Sequence, residues 1–224
     1  LNRPEEAIKV YLLALEADPD DVQAVDALIG QYLGLKRWED LLGAYTKKVD
    51  LVFDPEEKKL IYYQMGAVYE REIGDVSRAI DTYQRVLELD PDDLQALGRL
   101  DVLYQASGEW AELLTVLQHE SELTMDAAEA ISYQYRIAEL YEKHLQDVPR
   151  AIELYRDILM QQSDHDPTLQ ALENLKQGDG EPLAAASVLE PFYDGAGQWA
   201  MLISVLVVQV RFQDDAYLQV ELLH

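Results

Sequence analysis

Residues 79–93 read Ala79-Ile80-Asp81-Thr82-Tyr83-Gln84-Arg85-Val86-Leu87-Glu88-Leu89-Asp90-Pro91-Asp92-Asp93. Ala79, Ile80, Tyr83, Val86 and Leu87 fall at helical spacing, so the stretch predicts an amphipathic α-helix. Asp90-Pro91 punctuates it. The expected geometry has Asp90 capping the next helix, Pro91 in its first position, and Asp92 and Asp93 in a first turn where the macrodipole favours carboxylates. The same text stands 72 residues earlier, where Ala7-Ile8-Lys9-Val10-Tyr11 is followed by Leu15 and then by Asp18-Pro19-Asp20-Asp21.

The displacement of 72 holds well outside this stretch. It carries Ala24 to Ala96, Leu28 to Leu100, Tyr32 to Tyr104, Trp38 to Trp110 and Leu41 to Leu113. A third copy begins at Ala151-Ile152-Glu153-Leu154-Tyr155 and drifts through Asp166-Pro167, Ala171 and Leu175. An insertion over 177–190 interrupts it, and the pattern resumes at Phe192-Tyr193 and Gly197-Gln198-Trp199. Upstream, Tyr69 maps to Tyr141, Asp75-Val76 to Asp147-Val148, and Arg78 to Arg150. Each period reads as four helices, or two pairs, and none of them can bury its apolar stripe alone. Stacking on neighbouring pairs meets that need.

A second helix carrying an alanine, an aromatic four residues on and a proline twelve on resembles the tetratricopeptide repeat. Ala79, Tyr83 and Pro91 match it, as do Ala7, Tyr11 and Pro19. Met65-Gly66 followed by Tyr69 matches the first helix of that repeat, and Ile137-Ala138 followed by Tyr141 is a weaker copy. The alternate pairs depart from it, with Leu113 in place of the small alanine and Leu117 in place of the aromatic. The resemblance implies an all-α fold, a right-handed α-α superhelix, and a role in protein binding. The expected organisation is one domain over 1–224, with approximate repeats at 7–78, 79–150 and 151–224, cut from a longer array.

In that family the first helix of each pair lines a concave groove. Carried over, the groove positions are Gln23 and Asp26, then Tyr63 and Glu70, then Gln95, then Tyr135, Glu139 and Glu142. The resemblance thus implies an acidic, tyrosine-bearing groove suited to a basic or amphipathic segment, held by charge-assisted hydrogen bonds and cation–π contact. The family's clamp for acidic C-terminal tails needs Lys and Asn on the groove helices. The chain has only Asn2 and Asn174, and those groove positions carry no Lys.

Composition agrees with a protein partner. Eighteen Lys and Arg stand against 43 Asp and Glu, a formal net charge of −25. Nucleic acid and anionic membrane surfaces are disfavoured partners, and a basic surface is favoured. The chain has no cysteine, which excludes disulfides and thiol chemistry. His119, His144, His165 and His224 form no HxxxH or HExxH pair, and the Asp-Pro-Asp-Asp runs lack calcium-loop spacing. No phosphate-cradling loop or nucleophile elbow is present, so the reading is non-catalytic, without cofactor or metal. No apolar run approaches a membrane span, and the compartment stays open, with the cytoplasm the default. Self-association of a structural solenoid, or service as a regulatory arm of a larger protein, are the alternatives.

Three further features carry expectations. Trp38, Trp110 and Trp199 each open a helix and are expected to lock one pair on the next. The insertion is expected to loosen the stack, and Pro191 to bend its helix.

Overall fold

The computed structural model describes residues 3–178 and 180–212. Among them the chain is helical throughout, with no strand. Contacts group it into two compact units, Leu1–Glu109 and Trp110–His224.

The first unit holds α1 (Pro4–Ala17), α2 (Val22–Leu35), α3 (Trp38–Leu51), α4 (Pro55–Val68), α5 (Val76–Leu89) and α6 (Leu94–Ser107). Each packs on the next in chain order. A π-helical turn, Tyr69–Ile73, extends α4 and ends at Gly74, whose φ of 77° is the left-handed conformation that glycine adopts most readily. The core runs from Ile8 through Leu28, Tyr32, Leu41, Tyr45 and Ile61 to Val68. In α5, Ala79, Ile80, Tyr83 and Val86 are all buried, as the sequence period requires.

The second unit holds α7 (Trp110–Leu123), α8 (Ala127–Lys143), α9 (Val148–Gln161), α10 (Asp166–Gln177), α11 (Pro182–Gly195) and α12 (Trp199–Phe212). Its core joins Ala138, Ala151, Tyr155, Ile158 and Leu159 to Leu172, Ala185, Leu189 and Val205.

Helix starts follow one recipe at equivalent positions. Asp75 accepts from the Arg78 amide at 3.0 Å, and Asp147 accepts from the Arg150 amide at 3.1 Å. The Asp-Pro-Asp-Asp runs differ from the expected cap. Asp90 closes α5, its amide donating to the Val86 carbonyl, and Asp93 caps α6 by accepting from Gln95 and Ala96. Pro91 lies in the turn between them, where its fixed φ suits the second residue of a turn, and Asp93 has the extended backbone a cap needs. Asp21, not Asp18, caps α2 in the same way.

The insertion does not loosen the fold. It supplies most of α11, whose Ala185, Ala186 and Leu189 are wholly buried between α9, α10 and α12. The helix runs continuously past Pro191. Beneath it lies a buried polar network. Lys176 bonds Glu173 at 2.7 Å and Ser204 at 2.8 Å, while the Tyr193 hydroxyl donates to Glu173 at 2.9 Å.

The three tryptophans do not share one role. Trp38 packs against the core of its unit. Trp110 stacks on His144 with ring centroids 3.7 Å apart. Trp199 is 63% exposed, so the locking role does not extend to it.

Candidate protein-binding site

The positions that sequence places in a groove lie on α2, α4 with its π-turn, α6 and α8. Gln23, Asp26 and Gln95 are exposed. Tyr63, Glu70, Tyr135, Glu139 and Glu142 are half-buried.

In the first unit most of these charges already have partners. Lys48 on α3 bonds Asp26 at 2.8 Å and reaches Glu57 at 3.6 Å. Glu70 accepts from the Tyr83 hydroxyl at 3.1 Å and faces Arg99 at 3.6 Å. Tyr63 donates to Asp93, and Lys59 bonds both Asp90 at 2.7 Å and Asp93 at 3.0 Å. This knot ties α4 to the α5–α6 turn. Burial alone would raise the Asp93 pKa, but the Tyr63 and Lys59 hydrogen bonds outweigh it and hold the carboxyl below its usual range. Burial and the neighbouring Glu70 push Tyr83 up to about 12.

The second unit repeats part of this pattern. Tyr155 donates to Glu142 at 2.6 Å, displaced by 72 from the Tyr83–Glu70 bond. Tyr135 lies 5.9 Å from Tyr155 ring to ring, as Tyr63 lies 6.0 Å from Tyr83. Tyr155 is raised by burial and then by Glu142. The Lys59–Asp93 knot is absent from this copy, because Ile131 and His165 occupy the matching positions. His165 instead meets the Tyr135 ring edge-on at 5.6 Å and pairs with Thr168 at 2.8 Å. Glu139 pairs with Lys143.

Sequence reasoning passed over the apolar members of the same faces. Leu60, three residues before Tyr63, is 62% exposed, and Val102, seven after Gln95, is 58% exposed. Leu33, seven after Asp26, is 50% exposed. Each separation returns a side chain to one side of its helix. Between Asp26 and Leu33, Gly30 has open space where a Cβ would stand. Lone leucines and valines among polar neighbours give no periodic signal, so only exposure identifies them.

Among the described residues, no group of three or more His, Asp or Glu is placed to hold a metal ion. None of the described helices is long and apolar enough to cross a membrane.

Repeated helix pairs, a glycine under the core ring of Tyr83, and polar residues left outward on the first helices define a helical-repeat interaction protein. Tetratricopeptide repeat models match residues 1–21, 61–95, 96–131 and 132–164. The chain belongs to the tetratricopeptide repeat family and serves as a protein–protein interaction scaffold. It is 33% identical over 121 residues to the photosystem I assembly protein Ycf3 of Acaryochloris marina, covering 52% of this chain and 72% of the relative. The Ycf3 of Cyanophora paradoxa is 31% identical over 74 residues, covering 33% of this chain and 42% of that protein. Among solved structures, YrrB, described as a TPR protein with an unusual peptide-binding site, is 19% identical with a TM-score of 0.42. That likeness covers 76% of this chain and 84% of YrrB.

Proposed function

We propose that the chain is a non-catalytic adaptor that holds a basic, amphipathic segment of another protein along the outward faces of its first helices. The observation that carries this reading is the mixture on those faces. Exposed apolar residues (Leu33, Leu60, Val102) alternate with Gln23, Asp26 and Gln95. An amphipathic helix offers leucines to the first set, and its Lys or Arg donate to the Gln23 and Gln95 amide oxygens and share Asp26 with Lys48. Within the second unit taken by itself, Glu139 and Tyr135 give α8 an acidic and aromatic face of its own. Glu70, Glu142 and Tyr63 act mainly through internal bonds that position their helices. The resemblance to assembly factors supports the assembly of other polypeptides as the setting, with no partner implied by name.

The test is capture of partners from a lysate at low and high salt, followed by identification of the bound segments. Recovery of Lys/Arg-rich amphipathic segments that leave at high salt supports the reading. Capture of acidic segments, unaffected by salt, refutes it, because screening weakens exposed charge pairs.

A second reading, self-association, has an observation of its own. Trp199, Ile203 and Val207 recur every four residues on α12 and are each at least 60% exposed. Sedimentation of the chain with Ile203→Glu separates the two readings: loss of a dimer together with unchanged partner capture assigns this stripe to self-association.

A further inference from the structure

A cavity of about 370 Å³ opens in the second unit between the α9–α10 turn and the α11–α12 turn. It lies at helix ends, apart from the helix faces discussed above. Asp164, Asp166 and Leu169 line it from the α9–α10 side. Pro191 and Phe192 form the other wall, and Gln198 stands at the following turn.

Three independent features bear on what would fill it. The volume of this solvent-open cleft falls within the range of small ligand sites, of about 300–1,000 Å³. Both carboxylates are exposed, and neither forms an ion pair among the described residues, unlike Asp26, Glu70 or Glu139. The last turn of α11 also borders the space through Gly195 and Ala196, and a helix C-terminus carries partial negative charge. The opposing N-terminus of α10 offsets part of this field, but two full charges outweigh half of one. An anion is therefore repelled, and a wholly apolar group would leave both carboxylates unanswered.

We infer that this cavity receives a single Lys or Arg side chain projected by a partner protein. Its methylene stem lies against Leu169, Pro191 and the half-buried ring of Phe192, and its charged head reaches Asp164 and Asp166. A guanidinium can also lie over the Phe192 ring. The cavity is thus a second contact point, separate from the helix faces, and gives a bound segment a fixed register.

The probe is N-acetyl-arginine amide, titrated into the intact chain and followed by backbone amide NMR. The expected result is saturable shifts at 163–169 and 192–198. They weaken about tenfold in Asp164→Asn/Asp166→Asn, and are absent for N-acetyl-norleucine amide, which has a similar stem without charge. Phe192→Leu keeps the site apolar and should weaken binding by a smaller factor. Two outcomes overturn the inference. One is scattered, non-saturating shifts over the acidic surface; the other is unchanged binding in the double variant while its remaining spectrum shows an intact fold. Because the probe contacts no groove residue, its failure leaves the adaptor reading standing, and its success does not depend on that reading.

Discussion

A Cβ placed on Gly66 would lie 2.7 Å from the ring of Tyr83. Tyr83 is only 2% exposed, and its ring is held by its hydroxyl bond to Glu70. Replacement of glycine by alanine inside a helix normally stabilises by about 1 kcal/mol. Here the sign should reverse. Gly66→Ala must displace a fixed ring, at a cost of about 1–3 kcal/mol, and denaturant unfolding should show net destabilisation. A stabilised variant would show that the ring has room to move.

The same tyrosine gives a pH prediction. Its folded pKa, about 12, is raised above the unfolded value of about 10. The associated stability is therefore fully present below pH 10 and is lost as pH rises toward 12. Tyr83→Phe should lower stability at neutral pH by about 1–2 kcal/mol through the lost bond to a charged group. It should also flatten part of the alkaline decline. Parallel alkaline profiles for the variant and the parent would contradict this assignment.

Asp93 works in the opposite direction. Its folded pKa is lowered, so its contribution is present above the unfolded value near 3.9 and disappears as pH falls through the folded one. Asp93→Asn keeps a good helix cap but loses the charge facing Lys59. Thermal melts at neutral and acid pH should differ less in this variant than in the parent.

The tryptophans predict unequal costs. Trp110 is half-buried on His144, so Trp110→Ala should cost less than the roughly 3–5 kcal/mol of a fully buried tryptophan. Trp199→Ala should change stability by no more than about 0.5 kcal/mol. Equal costs at both sites would mean that Trp199 has a packing partner.

Much of this was readable in the chain itself, for physical reasons. Helix positions followed from apolar spacing, but the approach of Gly66 to the Tyr83 ring joins two helices and was not visible in either one's pattern. Local turn geometry was less accessible. Asp90 and Asp93 are chemically the same residue, and only backbone conformation decides which of them caps a helix. The three tryptophans share a motif, yet their burial depends on residues distant in sequence. The insertion looked like an interruption because its core alanines, Ala185 and Ala186, carry little periodic signal. The groove candidates lie on α2, α4 with its π-turn, α6 and α8, but sequence could not show that Glu70 and Glu142 bond the next helix's tyrosine. Nor could it show that Leu60 and Val102 point outward.

The role proposed for the outward faces of the first helices is to bind a basic amphipathic segment. Fluorescence anisotropy with a labelled amphipathic peptide, Lys/Arg on one side and Leu on the other, tests it when the parent is compared with Leu60→Ser/Val102→Ser and with Gln23→Lys/Gln95→Lys, all within the first unit. Saturable binding to the parent that weakens with salt is expected, with about tenfold or greater loss in each variant at unchanged fold. Binding of the same strength to all three proteins would contradict it.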